Sequence, residues 1–133
     1  MRVMEPERSD AVRVEVPAQT INMSIVRTVA AAVAARAELT VDQIEDVRLA
    51  TDEAMSYLIA HAGADASVSC LLTVGGADFH AEMSCATTAS ELPEPEPFSW
   101  TVLTALVGSV ETDLQGGRLT MSLSVTRDHS VSA

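Results

Sequence analysis

The chain contains no lysine and only four aromatic residues in a length of 133. All eight of its cationic side chains are therefore arginines, and 19 carboxylates bring the net charge to −11. This balance argues against nucleic acid as a direct partner. It favours a partner protein with a basic surface. Cysteine occurs only at Cys70 and Cys85, and we expect both to be packed, reduced thiols rather than a disulfide.

Long apolar runs are also missing, although 47% of the residues are hydrophobic. No stretch approaches the roughly 18 consecutive apolar residues of a membrane span. The first residues, MRVMEPERSD, lack the apolar segment of a signal peptide. We therefore expect a soluble, cytoplasmic protein with no membrane partner. The length suits one hydrophobic core, which predicts a single domain over residues 1–133 with flexible ends at 1–10 and 127–133.

Glycine is absent between Ala77 and Val107, and lysine and arginine are absent between Leu49 and Gly117. Only glycine lets the backbone approach a phosphate closely, and the many carboxylates between Leu49 and Gly117 would repel a polyphosphate. The one linker-like stretch of the chain, ATTASELPEPEP at 86–97, lies within the glycine-free region. These absences argue against a phosphate-binding loop in this half of the chain.

The patterns that are present predict the fold. Residues alternate between apolar and polar around 12–16, 68–74, 79–85 and 119–125, which predicts four strands, with a further short strand near Val110. Paired glycines at 75–76 and 116–117 predict two hairpin turns. Thr40 and Gln43 have capping-box spacing ahead of apolar residues at steps of three and four, which predicts a helix from Val41.

The resulting order of elements is strand, helix, helix, hairpin, helix, hairpin. It predicts an α+β fold, a two-layer α/β sandwich, in which about three helices cover one face of a mostly antiparallel, mixed sheet. The other face of the sheet would be polar and wet, because each strand has one apolar and one polar side.

The stretch VRLATDEAMSYLIAHA at 47–62, with the segments at 24–54 and 98–125, resembles the RsbW-type anti-sigma-factor serine kinases, members of the GHKL (Bergerat-fold) ATPases. The resemblance covers nearly the whole chain and implies a Bergerat-type fold. The second helix of this family carries Glu, then Asn four residues later, then His four residues after that. Glu53, Tyr57 and His61 hold those positions here. The resemblance implies that Glu53 is the vestige of a catalytic base.

Tyr57 replaces the family's asparagine, which supplies a carbonyl oxygen to the magnesium ion that bridges the ATP phosphates. Magnesium prefers hard oxygen ligands, and a neutral phenol is a poor substitute. We therefore predict a degenerate ATP site with no cofactor and no metal, whose former nucleotide pocket is lined by Tyr57, His61, Phe98 and Trp100. The alternative is that the three aromatic residues are ordinary core, that His61 is a packed or capping residue, and that Glu53 is a surface carboxylate.

Arg27 lies in the first helix, where the resembled kinases carry an arginine that contacts both a sigma factor and an anti-anti-sigma protein. A guanidinium can grip a carboxylate at two points, which suits a partner contact; the alternative is a solvated surface arginine. The resemblance implies a homodimeric anti-sigma factor that sequesters an alternative sigma factor of the stress or sporulation type. A STAS-domain anti-anti-sigma factor would release it.

Two other functions remain open from the sequence. One is an active ATP-dependent protein serine kinase, with Glu53 as base, which uses ATP and magnesium to phosphorylate a STAS antagonist. The other is a histidine-kinase-type ATPase fragment that acts only as a scaffold.

Overall fold

The computed structural model describes residues 11–127, and the elements follow in the predicted order. They are β1 (Val12–Pro17), a short 3-10 turn (Thr20–Asn22), α1 (Met23–Arg36), α2 (Val41–His61), β2 (Ser67–Gly75), β3 (Asp78–Ala86), α3 (Pro97–Leu106), β4 (Ser109–Gln115) and β5 (Arg118–Thr126). The predicted flexible ends at 1–10 and 127–133 lie outside the described residues, except for Arg127. None of the helices within residues 11–127 is long and apolar enough to cross a membrane.

The five strands form one sheet in the order β1-β2-β3-β5-β4. All the described pairings are antiparallel, so the α+β class is confirmed while the expected mixed sheet is antiparallel throughout. The predicted hairpins join β2 to β3 and β4 to β5. Gly76, Gly116 and Gly117 have positive φ angles at these turns, a conformation that residues with a Cβ adopt only at a cost.

One face of the sheet packs against the helices and forms the core. Along β3, Phe79, Ala81, Met83 and Cys85 are buried, whereas His80 and its even-numbered neighbours face outward. The Cys85 thiol donates to the carbonyl of Leu58 on α2 at 3.5 Å, which fixes this face as the helix side. Cys70 and Cys85 are both free and buried, as predicted. The opposite face is polar, because period-two alternation places the serines and threonines of β2 and β5 there.

The predicted capping box opens α2. The Thr40 side chain accepts from the Gln43 backbone at 3.1 Å, and the Gln43 side chain accepts from the Thr40 backbone at the same distance. The Gln43 amide also donates to the carbonyl of Thr126 at 2.9 Å. The start of α2 is thereby tied to the end of β5.

Arg127, which follows β5, is held through both its backbone and its side chain. Its backbone N–H donates to the carbonyl of Ala77 at 2.7 Å, and its guanidinium pairs with Glu38 at 2.6 Å. The last described residue is thus packed against the turn between α1 and α2.

Candidate functional site

A cavity of about 510 Å³ lies between α2 and the start of α3. Glu53, Tyr57 and His61 line one wall, because their spacing of four places them on one side of α2. Ser56 and Ala60 complete that wall, and the opposite wall is formed by Glu94, Pro95, Glu96, Pro97, Ser99 and Leu103. The structure therefore brings the three residues of the family's helical motif together around one space.

Tyr57 joins the two walls. Its hydroxyl donates to the carbonyl of Pro93 at 2.5 Å, and its ring meets the His61 ring edge-on, with centroids 5.3 Å apart. Burial, with a smaller contribution from the nearby Cys85 thiol, raises the pKa of the Tyr57 phenol above its ordinary 10.0. The phenol thus stays protonated near neutral pH and acts as a donor. We call residues 92–97, which this bond holds against α2, the proline strap.

The charged side chains described in the lining of the cavity are all acidic. The charged residues that line it are Glu53, Glu94 and Glu96, and neither lysine nor arginine is part of the described lining. At the opening of α3, Pro97 occupies the first turn and has no backbone N–H to offer to an anion. No group of three or more His, Cys, Asp or Glu side chains within residues 11–127 is arranged to hold a metal ion. The residues present do not fit a magnesium–triphosphate ligand.

Phe98 and Trp100 lie elsewhere, contrary to the expectation that they line this cavity. Phe98 is 74% exposed, and Trp100 lies in a groove on the other side of the proline strap. The reason is helical phase: Ser99 and Leu103, four residues apart on α3, face the cavity and turn their neighbours away from it. Sequence reasoning missed Ser99 and Leu103, although their spacing was a usable signal.

Arg27 lies outside the cavity, at the seam between α1 and α2. Its guanidinium donates to Oδ2 of Asp52 at 2.8 Å, and the two side chains are 33% and 27% exposed. The other carboxylate oxygen of Asp52 is buried and has no hydrogen-bond partner within residues 11–127. Arg27 is therefore a half-buried, ion-paired residue with part of its guanidinium at the surface, and Asp52 is a neighbour that sequence reasoning did not single out.

Comparison with known protein families matches residues 16–123 to the histidine kinase-like ATPase domain. This match covers most of the chain, and the chain belongs to that family. It is also similar to the proteins named Anti-sigma-F factor RsbW from Mycobacterium tuberculosis strains CDC 1551 / Oshkosh and ATCC 25618 / H37Rv. Identity is 34% over 102 residues in each comparison, which is 77% of this chain. The chain spans about 61% of the length of these curated relatives. The resemblance inferred from the sequence is thereby confirmed.

Proposed function

We propose that the chain is an anti-sigma factor that binds and sequesters an alternative sigma factor of the stress or sporulation type. The observation that carries this proposal is the 34% identity, over 77% of the chain, to proteins named Anti-sigma-F factor RsbW. The family match supports it, because it gives the chain the same kind of domain. A sigma factor is a cytoplasmic partner, so the proposal also assigns the chain to the cytoplasm.

The proposal treats the ATP site as degenerate. Tyr57 stands where the resembled kinases carry a magnesium ligand, and its hydroxyl is already used by Pro93. Glu53 is retained, but it faces Glu94 and Glu96 across the cavity, and these carboxylates would repel the phosphates of a nucleotide. With no phosphate donor to hold, Glu53 is the vestige of a base rather than a catalytic residue.

Release of the sigma factor, in this proposal, follows mass action. A STAS-domain antagonist competes for a surface that overlaps the sigma site, so the free sigma concentration depends on antagonist abundance and on its relative affinity. Arg27 contributes to that surface through the exposed part of its guanidinium. The working unit is a homodimer, as the resemblance implies.

Direct titration tests the proposal. The purified chain is titrated by calorimetry with each alternative sigma factor of its source organism, with the housekeeping sigma factor as control. One alternative sigma factor should bind with saturable, one-site heat while the housekeeping factor does not. If none of the alternative sigma factors binds, the proposed function is wrong.

A second function, an active ATP-dependent serine kinase, is favoured by one observation: Glu53 remains in the wall of the cavity. Transfer of labelled phosphate from ATP to a STAS-domain protein would establish that function. The same assay with the Glu53→Gln variant would then show whether this carboxylate acts as the base.

A further inference from the structure

The edge of the sheet formed by β4 carries a second surface, which lies across the proline strap from the α2 cavity. In the described part of the chain β4 pairs only with β5, so one side of its backbone has no strand partner. Such an edge offers unpaired N–H and C=O groups to an added strand. The side chains around this edge determine what kind of strand it can accept.

On the helix side of the edge lies an apolar slot of about 380 Å³. The strap contributes Leu92, Pro93, Pro95 and Pro97, and Trp100 of α3 and Thr112 of β4 close the slot. Among the described residues, Glu94 is the only carboxylate that lines it. Thr112 pairs in register with the buried Met121, which places it on the helix face of the sheet. The slot can therefore take apolar side chains that point toward the helix layer.

On the outer side of the same edge lies an acidic depression of about 560 Å³. Its carboxylates are Glu82, Glu111 and Asp113, all exposed, and Ser122 lies between Glu82 and Glu111 in the register of the sheet. The guanidinium of Arg118, at the start of β5, donates instead to the Ser84 hydroxyl at 3.1 Å. The outer side of the edge is therefore suited to cationic side chains.

The two depressions meet at the free edge of β4, because Trp100 and Thr112 line both of them. We call the slot and the acidic depression together the β4 furrow. The β4 strand of a second copy is a poor occupant, since pairing two β4 edges would bring Glu111 and Asp113 of both copies together. The charge of the edge instead favours a basic segment.

We propose that the β4 furrow binds an extended segment of a protein partner, in which arginine or lysine alternates with apolar residues, by adding it to the sheet as a strand. Successive side chains of a strand point to opposite faces. The apolar residues would therefore enter the slot beside Trp100, and the basic residues would lie over Glu111 and Asp113. Backbone hydrogen bonds would supply affinity, and the two depressions would supply specificity. This surface is independent of the proposed sigma contact at Arg27.

Trp100 is the only tryptophan of the chain, so its fluorescence reports on the furrow directly. The probe is a capped synthetic peptide of about eight residues, a usual strand length, in which valine and arginine alternate. Matched peptides replace arginine with glutamate, or carry N-methyl groups on alternate residues in either phase. The valine–arginine peptide should give a saturable change in fluorescence and bind at least about tenfold more tightly than the glutamate peptide. One phase of N-methylation should abolish binding.

Variants of the chain locate the contact. The double variant Glu111→Gln, Asp113→Asn should weaken binding about tenfold, because it removes the charges beneath the arginines. The control Glu15→Gln, Glu45→Gln makes the same change in net charge elsewhere and should bind as the parent does. Equal binding by the two double variants, equal affinity for the glutamate peptide, or no saturable signal would each overturn the proposal. Hydrogen exchange should show new protection in β4; protection of β1 instead would also overturn it.

Discussion

The hydroxyl of Tyr57 finds its hydrogen-bond partner inside the chain, at the carbonyl of Pro93. A buried phenol without a partner would carry a desolvation cost of about 1–3 kcal/mol, so the bond and the position of the proline strap depend on each other. The large Tyr57 side chain is thereby accommodated at the edge of the cavity, where it holds the opposite wall in place.

Replacing Tyr57 with phenylalanine tests this role. The variant keeps the ring and loses only the hydroxyl, so the free energy of unfolding should fall by about 1 kcal/mol. Amide hydrogen exchange in residues 92–97 should accelerate, because the strap loses its attachment to α2. Urea unfolding and exchange measured by mass spectrometry check both effects. Unchanged exchange in the strap would show that the Pro93 bond does not hold it.

The Cys70 thiol makes the free energy of unfolding depend on pH, in a direction set by the burial of the thiol. Burial raises the pKa of its thiol from 9.0 to about 12. The native state therefore keeps this proton after the unfolded chain has released it, and the free energy of unfolding falls as pH rises from 9.0 toward about 12. Burial also raises the pKa values of Cys85 and Tyr57.

The Cys70→Val variant removes that titration while it keeps an apolar side chain in the core. Between about pH 8 and about pH 10.5, the parent should lose about 2 kcal/mol more of its unfolding free energy than the variant does. Urea unfolding at the two pH values measures the difference. Equal losses in the two proteins would show that burial does not raise the pKa of the Cys70 thiol.

At the scale of the elements, α2 was the most predictable part of the chain. Its start at Val41 followed from the capping box, and its buried face followed from apolar steps of three and four. The strands and the two glycine hairpins were equally predictable. The alternation of apolar and polar residues and the positive φ angles at the turns are local properties. For these elements, residues close in sequence are enough to predict the structure.

The proline strap and the position of Trp100 could not be predicted in the same way. The alternating prolines and glutamates of the strap predict neither a helix nor a paired strand, and its long-range bond to Tyr57 leaves no mark in the local sequence. Trp100 lies beside β4 because β4 is the edge strand, and strand order is a property of the whole sheet. The ion pair between Arg27 and Asp52 could not be predicted either, since it depends on how α1 packs against α2.

The capping box of α2 makes a stability prediction. Thr40→Ala removes the side-chain oxygen that accepts from the Gln43 backbone and should cost about 1 kcal/mol of unfolding free energy. Thr101→Ala is the matched control, because the Thr101 hydroxyl bonds back to the carbonyl of Pro97 at the exposed surface of α3. That control should change stability by no more than about 0.5 kcal/mol. Equal effects of the two changes in thermal or urea unfolding would contradict the capping role.

At the scale of the whole molecule, the two candidate partner surfaces lie apart. Arg27 belongs to α1, which packs over β1, β2 and β3, whereas the β4 furrow lies at the opposite edge of the sheet. The net charge of −11 gives both surfaces an acidic background in which a cation such as Arg27 stands out. A partner carboxylate would be drawn to that guanidinium, and basic partners to the rest of the surface.

Arg27→Glu should weaken sigma binding at least about tenfold, because it replaces a cation with an anion beside Asp52. Arg118→Glu makes the same change in charge on the other face of the sheet and should leave sigma affinity unchanged. A charge swap, Arg27→Asp with Asp52→Arg, should recover stability without recovering affinity. If calorimetry shows that Arg27→Glu binds as tightly as the parent, Arg27 is not part of the sigma surface.

In the proposed function, the histidine kinase-like ATPase domain is kept while the chemistry of its nucleotide site is lost. Titration of the purified chain with Mg-ATP by calorimetry shows whether that chemistry is lost, with a nucleotide-binding relative of the same family as positive control. The charges and the Pro93-bonded tyrosine of the cavity predict no saturable heat at ATP concentrations of about 1 mM, where even weak sites of about −4 kcal/mol are half filled. Saturable binding in the micromolar range, followed by phosphate transfer to a STAS-domain protein, would contradict it.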